Sequence, residues 1–333
     1  GLRRERVPNA RTMKQQLSVV IAGASGTIGR AVVRECLGRG HRVTALVRSE
    51  QARYLAELAG ADVRVVDVGQ QMEVSLVLAE ITPDVVISCV ASRSVSPIDA
   101  EAVDLHANMH LLFASESQAV QRFVLLSAIC VQRPHLAFQR AKLEFEAALK
   151  GSPIAHTIVR PTAFFKSLSG QVERVRAGKP FLIFGDGELT RCKPISDGDL
   201  ARFVAGTLDD PSAVGAVLPI GGPGPAISLK EQGELMFEVA GKEAKFKSVP
   251  LAMFDWAARI IGLGAPISSW CAEKAEYARI AKYYATQSML LLDPETGEYS
   301  AEKTPEFGTE TLRDHYAQLL AEELSQAPAP ASA

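Results

Sequence analysis

Residues Leu17–Gly29 read LSVVIAGASGTIG, an apolar run that breaks into Gly23-Ala24-Ser25-Gly26-Thr27-Ile28-Gly29. Strands buried on both faces of a parallel sheet are continuous apolar runs of this kind. Glycines directly after such a strand let backbone N–H groups approach a phosphate at the start of the following helix. The three glycines are spaced three and three, unlike the general G-x-G-x-x-G pattern, so the spacing alone is a weak signal. Its setting strengthens it: a strand precedes the glycines, and an amphipathic pattern over roughly 29–39 predicts a helix after them. The expectation is a dinucleotide site over residues 23–29; the plainer alternative is a tight strand-to-helix turn.

Outward from this stretch, short apolar runs alternate with helical patterns. His41–Arg48, Val63–Val68, Val85–Ala91, Phe123–Ala128 and Ala155–Val159 are the strand candidates. Such alternation predicts βαβ units, hence an α/β fold with a Rossmann-type doubly wound parallel sheet. The second strand ends at Arg48, about twenty residues after the glycines, where NAD-preferring sites carry an acidic residue for the ribose 2′-OH. An arginine there suits a 2′-phosphate, so NADPH is the expected cofactor. Asp67, closing the third strand, is a candidate for the adenine amino group or for capping the next turn. After the fourth strand, Ala91 and Ser92 begin a small-residue loop at the carboxyl edge of the sheet, where ligands of such folds bind. His106 and His110 share a helix face, but no further ligating residue accompanies them, and a surface pair is the preferred reading over a metal site.

The chain has 333 residues, 47% of them hydrophobic, enough for a sizeable core. A formal net charge of -2 gives no basic footprint for nucleic acid. Cys36, Cys89, Cys130, Cys192 and Cys271 are scattered and form no C-x-x-C pair, which argues against a disulfide framework or a zinc site. No apolar run reaches the ~18 residues of a spanning helix, and no signal-peptide pattern is found, so a soluble protein is expected. Residues 1–16, with Arg3, Arg4, Arg6 and Arg11, read as a disordered leader, an expression remnant or the end of a removed targeting segment, and residues 321–333 as a disordered tail.

Ser127 closes the fifth strand, and Phe138-Gln139-Arg140-Ala141-Lys142 follows. In short-chain dehydrogenases/reductases a strand-end Ser precedes Tyr-x-x-x-Lys, in which the Lys lowers the Tyr pKa. Here Phe138 stands at the Tyr position, and a phenyl ring donates no proton to a carbonyl oxygen. Lys142 remains, open to three roles: binding the nicotinamide ribose, acting as the acid, or covering a helix face. A longer likeness follows. LLSAICVQRP (Leu125–Pro134), FQRAKLEFE (Phe138–Glu146), the segment Val159–Ser196, LPIGGPG (Leu218–Gly224) and LLLDPETGEYSAEKTPEFG (Leu290–Gly308) closely resemble the divinyl chlorophyllide a 8-vinyl reductases, atypical short-chain dehydrogenases of chlorophyll and bacteriochlorophyll synthesis.

The resemblance implies a Rossmann-type NADPH domain with a smaller C-terminal substrate lobe, a tetrapyrrole substrate, and reduction of its C8 vinyl group to ethyl. It implies a cytoplasmic protein in a photosynthetic bacterium, or a chloroplast one in a plant or alga. An alkene conjugated to a macrocycle accepts hydride without building an oxyanion, so the missing Tyr is no defect. A proton must still reach the inner vinyl carbon; Lys142 is the first candidate, with Cys130, Ser127 and water behind it. Cys130 is equally read as a small buried hydrophobe.

The expected division is 17–165 for the cofactor domain, with 196–220 returning to it, and 166–195 with 221–320 for the substrate lobe. Pro161 joins the cofactor set. For the pigment, Phe138, Phe164, Phe165 and Phe184 are candidate walls, and Lys166, Arg191 and Lys193 candidate carboxylate partners, each weighed against ordinary packing or solvation. Gly185-Asp186-Gly187 suggests a hairpin turn, and Leu218–Gly224 a strand leaving for the substrate side. Leu251–Ile267 reads first as a buried helix or lid and second as an interfacial helix touching a membrane. Trp270, Tyr283 and Tyr284 are candidates to line the same region. Two rival readings are a non-catalytic NADPH-sensing or assembly protein of this fold and an isoflavone-reductase-like enzyme.

Overall fold

The computed structural model describes residues 15–94, 96–263 and 269–322. The expected leader up to residue 14, the tail from residue 323, residues 264–267 of the apolar stretch and the side chain of Trp270 lie outside the described residues. The first half of the chain builds strands and helices in alternation. These are β1 (Ser18–Ala22), α1 (Thr27–Gly38), β2 (Arg42–Val47), β3 (Asp62–Val65), α2 (Gln71–Ile81), β4 (Val85–Ser88), α3 (Pro97–Asp99), α4 (Asn108–Ser117), β5 (Arg122–Leu126), α5 (Ala137–Gly151) and β6 (Ala155–Pro161). The second half carries α6 (Val172–Arg176), β7 (Phe181–Phe184), β8 (Arg191–Cys192), α7 (Asp197–Gly206), β9 (Val217–Ile220), β10 (Ile227–Ser228) and α8 (Leu229–Val239). It closes with β11 (Phe246–Val249), α9 (Ala252–Gly262), α10 (Ser269–Thr286), β12 (Leu291–Leu292), β13 (Tyr299–Ser300) and α11 (Leu312–Glu322).

Seven strands form one parallel sheet in the order β3-β2-β1-β4-β5-β6-β9. Side chains alternate across it, as a period of two demands. Val19 and Ile21 pack with Val85, Ile87 and the α1 and α7 residues Val32, Val33, Leu200 and Val204 on one face. Val20 and Ala22 pack with Phe123, Leu125 and the helical Leu78, Leu111, Phe145 and Leu149 on the other. Both faces are covered, which is why the strands read as unbroken apolar runs. The strand order reverses between β1 and β4, so the loops after these two strands part and leave a crevice.

Two expectations change. Val217–Ile220 does not leave for the second lobe; it pairs in parallel with β6 and ends the sheet. Gly185-Asp186-Gly187 turns the chain, with the Gly187 N–H donating to the Phe184 carbonyl at 2.9 Å, but no hairpin results. The strand before it, β7, pairs with β11, and the strand after it, β8, pairs with β10. These short pairs, with α6, α8 and α11, enclose a second core of Phe165, Val175, Phe181, Met236, Phe237 and Tyr316.

The segments that carry the family likeness meet in space. Gly221 and Phe307 exchange backbone hydrogen bonds with each other's strap, Gly221 N–H to the Pro305 carbonyl at 2.8 Å and Phe307 N–H to the Gly221 carbonyl at 2.9 Å. Lys193 pairs with Glu306 at 2.5 Å. The Gln132 side chain bonds Leu290 and Leu292, and Arg133 lies 4.8 Å from the Tyr299 ring centre. The C-terminal strap is thereby tied to the ends of β5 and β9.

Candidate functional site

The glycine loop separates into three roles. Gly23 has φ +73, a conformation only glycine adopts freely, and a Cβ there would stand 2.6 Å from the Cys89 carbonyl oxygen. A Cβ on Gly29 would stand 2.1 Å from the Gly23 carbonyl oxygen, so this glycine brings α1 against the loop. Ala24 and Ile28 are buried in the core. Ser25, Gly26 and Thr27 face outward, and Gly26 precedes α1 with ordinary backbone angles and no side-chain cap. The first N–H groups of α1 therefore point bare toward the crevice, with no acidic residue in the first turn. That is an anion site of the kind a pyrophosphate fills.

Arg48 follows β2, exposed and without a hydrogen bond or ion pair among the described residues. A free guanidinium at the ribose end of the crevice fits a 2′-phosphate. Asp67 is exposed, and its carboxylate accepts the Gly69 N–H at 2.9 Å, the turn-capping alternative in its usual form. Lys166 lies here too, in a place the sequence did not suggest. Its Nζ donates to Thr27 Oγ1 at 3.1 Å, which sets the cation over the glycine loop instead of among the cavity walls. The reason is the path after β6, which turns back across the carboxyl end of the sheet.

Across the crevice, Lys142 is tied to Asp104 at 2.8 Å, and Asp104 also accepts from the Ser92 hydroxyl at 2.5 Å. Asn108 donates to the Asp104 carbonyl at 3.0 Å and accepts from the Ser88 hydroxyl at 2.5 Å. Asp104 sits in a wide helical stretch, Ala100–Ala107, of the π type often found at functional sites. Ala91 is exposed at the same crevice edge. This network was not legible: Asp104 and Asn108 have no motif, and only the helix widening brings the carboxylate to Lys142. Nearby, His110 Nδ1 lies 3.0 Å from the Val68 carbonyl, while His106 lies 3.9 Å from Glu101.

Ser127 is buried, and its hydroxyl donates to Glu146 at 2.6 Å. Glu146 is in turn paired with Arg160. The Ser127 proton is thus directed under α5. Phe138 and Phe165 are also turned inward, each into a hydrophobic core. Neither stands on the cavity described next, because Phe138 lies on the packed face of α5 and Phe165 on that of the short helical turn Phe165–Leu168.

A cavity of about 610 Å³ opens between the carboxyl ends of β5 and β6 and the second lobe, with α10 over it. Its size is that of a small-molecule site. The pigment candidates Phe164, Phe184 and Arg191 line it, together with Cys130, Tyr284 and Pro161, the last read from the sequence as a cofactor contact. Arg191 is not free in it: Glu188 and Glu231 hold the guanidinium at 2.9 Å each. Lys193 is committed to Glu306. Burial pushes the Cys130 thiol up, outweighing Gln139 and Lys142, so it is a thiol and not a thiolate at neutral pH. Among the described residues no cluster of His, Cys, Asp and Glu is arranged to hold a metal ion.

A bare helix N-terminus behind a glycine turn, a free arginine at the ribose end and a switch-point crevice define a dinucleotide-binding protein. A family model described as NAD(P)H-binding matches residues 23–211, and the chain belongs to that family. The NADPH-dependent quinone oxidoreductase of Escherichia coli, solved with NADPH, shares the fold at TM-score 0.66 and 17% identity, over 90% of this chain and 99% of its own. The chloroplastic divinyl chlorophyllide a 8-vinyl-reductase of Arabidopsis thaliana is 45% identical over 324 residues, covering 92% of this chain and 78% of its own. That of Zea mays is 44% identical over 92% of this chain and 80% of its own. The chain belongs to the divinyl chlorophyllide a 8-vinyl-reductase family.

Proposed function

We propose that the protein reduces the C8 vinyl group of divinyl chlorophyllide a, or of its protochlorophyllide counterpart, to ethyl with NADPH. The observation that carries this reading is the cavity at the ends of β5 and β6, walled by Phe164 and Phe184 beside the dinucleotide crevice. Aromatic and aliphatic walls suit a flat macrocycle. The buried Phe138 supports it as well, since an alkene conjugated to a ring system develops no oxyanion for a tyrosine to protonate.

NADPH supplies the hydride when bound. The residues Ser25–Ile28 present the α1 amides to its pyrophosphate, Lys166 adds a cation over the same loop, and Arg48 takes the 2′-phosphate. Lys142, fixed by Asp104, holds the nicotinamide ribose. Phe164 and Phe184 orient the macrocycle, and Pro161 and Ala163 wall the cavity at the end of β6.

No helix among the described residues is long and apolar enough to cross a membrane. α9 nevertheless buries none of its residues, which overturns the buried-helix reading of this stretch. Met253, Trp256, Ile260 and Leu263 form one exposed stripe on it, and α9 packs along α10, which roofs the cavity. The stripe serves as a peripheral contact with a pigment-bearing membrane.

The deciding experiment is incubation of the purified protein with divinyl chlorophyllide a and NADPH, followed by chromatography and absorption. The expected result is a monovinyl product that requires NADPH. NADPH binding with intact pigment and no product rejects the reading.

A further inference from the structure

The reduction needs a proton as well as a hydride, and two of the three side chains first expected to supply it, Lys142 and Ser127, are otherwise engaged, which leaves Cys130. Lys142 is paired with Asp104 and lies off the cavity wall, and the Ser127 proton is directed to Glu146. Two acids meet where the cavity touches the end of β5: Cys130 and, from α10, Tyr284. Cys130 is 5% exposed and packed into the core, whereas Tyr284 is 45% exposed, and its hydroxyl faces the Cys130 sulfur. The phenol stands in front and the thiol behind it.

The position of that phenol is fixed relative to the sheet. The hydroxyl of Tyr283 lies 3.0 Å from the carbonyls of both Cys130 and Arg133, which pins α10 to the loop after β5. The Tyr283 and Tyr284 rings meet edge to face, with centres 5.8 Å apart at 87°. Cys192, the cavity's other thiol, belongs to the far wall, where its sulfur lies 3.9 Å from the Ile227 carbonyl.

We propose that Tyr284 is the general acid of the reaction, protonating the inner carbon of the C8 vinyl group; this rests on the vinyl-reductase function proposed above. The π bond of –CH=CH2 breaks, hydride from NADPH forms the C–H bond at the terminal carbon, and the Tyr284 O–H bond breaks to form the one at the inner carbon. The product is –CH2–CH3 with NADP⁺, and the phenolate left on Tyr284 recovers its proton from solvent. The phenol thus takes up, from the C-terminal lobe, the donor duty that Phe138 abandons in the cofactor domain. Although the side chain as a whole is part exposed, enclosure of its hydroxyl end and the neighbouring Cys130 hold the Tyr284 phenol well above its ordinary value, so it stays protonated through the neutral range. The acid must be protonated to act, so the rate is flat near neutrality and falls only as the pH rises into strong alkali.

The test uses the full chain with NADPH and divinyl chlorophyllide a, in H2O and in D2O, with pigment affinity titrated separately by absorption. Wild type is expected to place one solvent deuterium on the inner carbon. Tyr284→Phe is expected to lower kcat about 100-fold, within the range of a lost general acid, with pigment and NADPH affinities nearly unchanged. Tyr284→Phe turnover within about threefold of wild type, against that expected range, overturns the assignment, as does solvent deuterium on the terminal carbon. A Cys130→Ala variant that is inactive while Tyr284→Phe is active also overturns it and moves the role to the thiol. A wild-type protein that binds NADPH and pigment but forms no monovinyl product rejects the function, and this step with it.

Discussion

The two sides of the active crevice are built from different materials. The nucleotide side is built first on backbone: the N–H groups at the start of α1, exposed by a turn in which Gly23 and, within the helix, Gly29 admit no Cβ. The pigment side is made of side chains from remote segments, Cys130, Phe164, Phe184, Arg191 and Tyr284, gathered only when the C-terminal strap and α10 dock. A backbone site tolerates almost no substitution where chain meets chain, whereas a side-chain site gives way residue by residue.

The largest expected effect follows from that contrast. Gly29→Ala sets a methyl 2.1 Å from the Gly23 carbonyl oxygen, a backbone atom that cannot swing aside. Either the loop or α1 must shift, at ~1–3 kcal/mol or more, and NADPH affinity should fall by about 100-fold or more, roughly 2.7 kcal/mol. Leu189→Ala, on the cavity wall, should leave NADPH affinity unchanged. Equal effects of the two variants in a cofactor titration break the comparison.

Lys142→Met comes next, and it probes the seam between the two sides. It leaves the Asp104 carboxylate without its cation in a nearly closed site, where removing one partner of a buried pair costs about 3 kcal/mol. The expected kinetic result is a KM for NADPH raised about tenfold, with pigment binding kept and kcat largely recovered at saturating NADPH. Turnover abolished at saturating NADPH would instead make Lys142 the proton donor.

The same contrast explains what the sequence disclosed. The strands β1 to β6, the glycine loop and Arg48 are local patterns, and each lies where its own residues predict, within a few positions. Phe164, Phe184 and Cys130 were legible as cavity candidates because aromatic and thiol residues are distinctive. Lys166, Phe138 and Phe165 were not, because direction is decided by how the chain packs after β6 and around α5, and no spacing encodes that. Asp104 was silent because a widened helical turn has no residue signature. The turn at Gly185–Gly187 was seen, but its strands found partners more than 30 residues away, at Ile227 and Phe246.

Arg48→Ala sharpens the nucleotide side. Arg48 makes no other bond among the described residues, so its loss should leave stability and NADH affinity alone. The NADPH-over-NADH preference should narrow about tenfold, roughly 1.4 kcal/mol, the scale of one charge-assisted phosphate contact. An unchanged ratio in paired titrations rejects the role.

The smallest effect belongs to α9, and it separates substrate capture from chemistry. Trp256 is 70% exposed and makes no contribution to either core, so Trp256→Glu should fold and bind NADPH as wild type does. A charge in the middle of the Met253–Leu263 stripe opposes burial in a headgroup layer, while micelle-dispersed pigment needs no such burial. The variant should therefore match wild type on dispersed divinyl chlorophyllide and fall several-fold behind, roughly 1 kcal/mol in apparent affinity, when the pigment is presented in anionic lipid vesicles. Equal rates in both presentations would leave α9 as packing for α10 alone, and the pigment side would then end at α10.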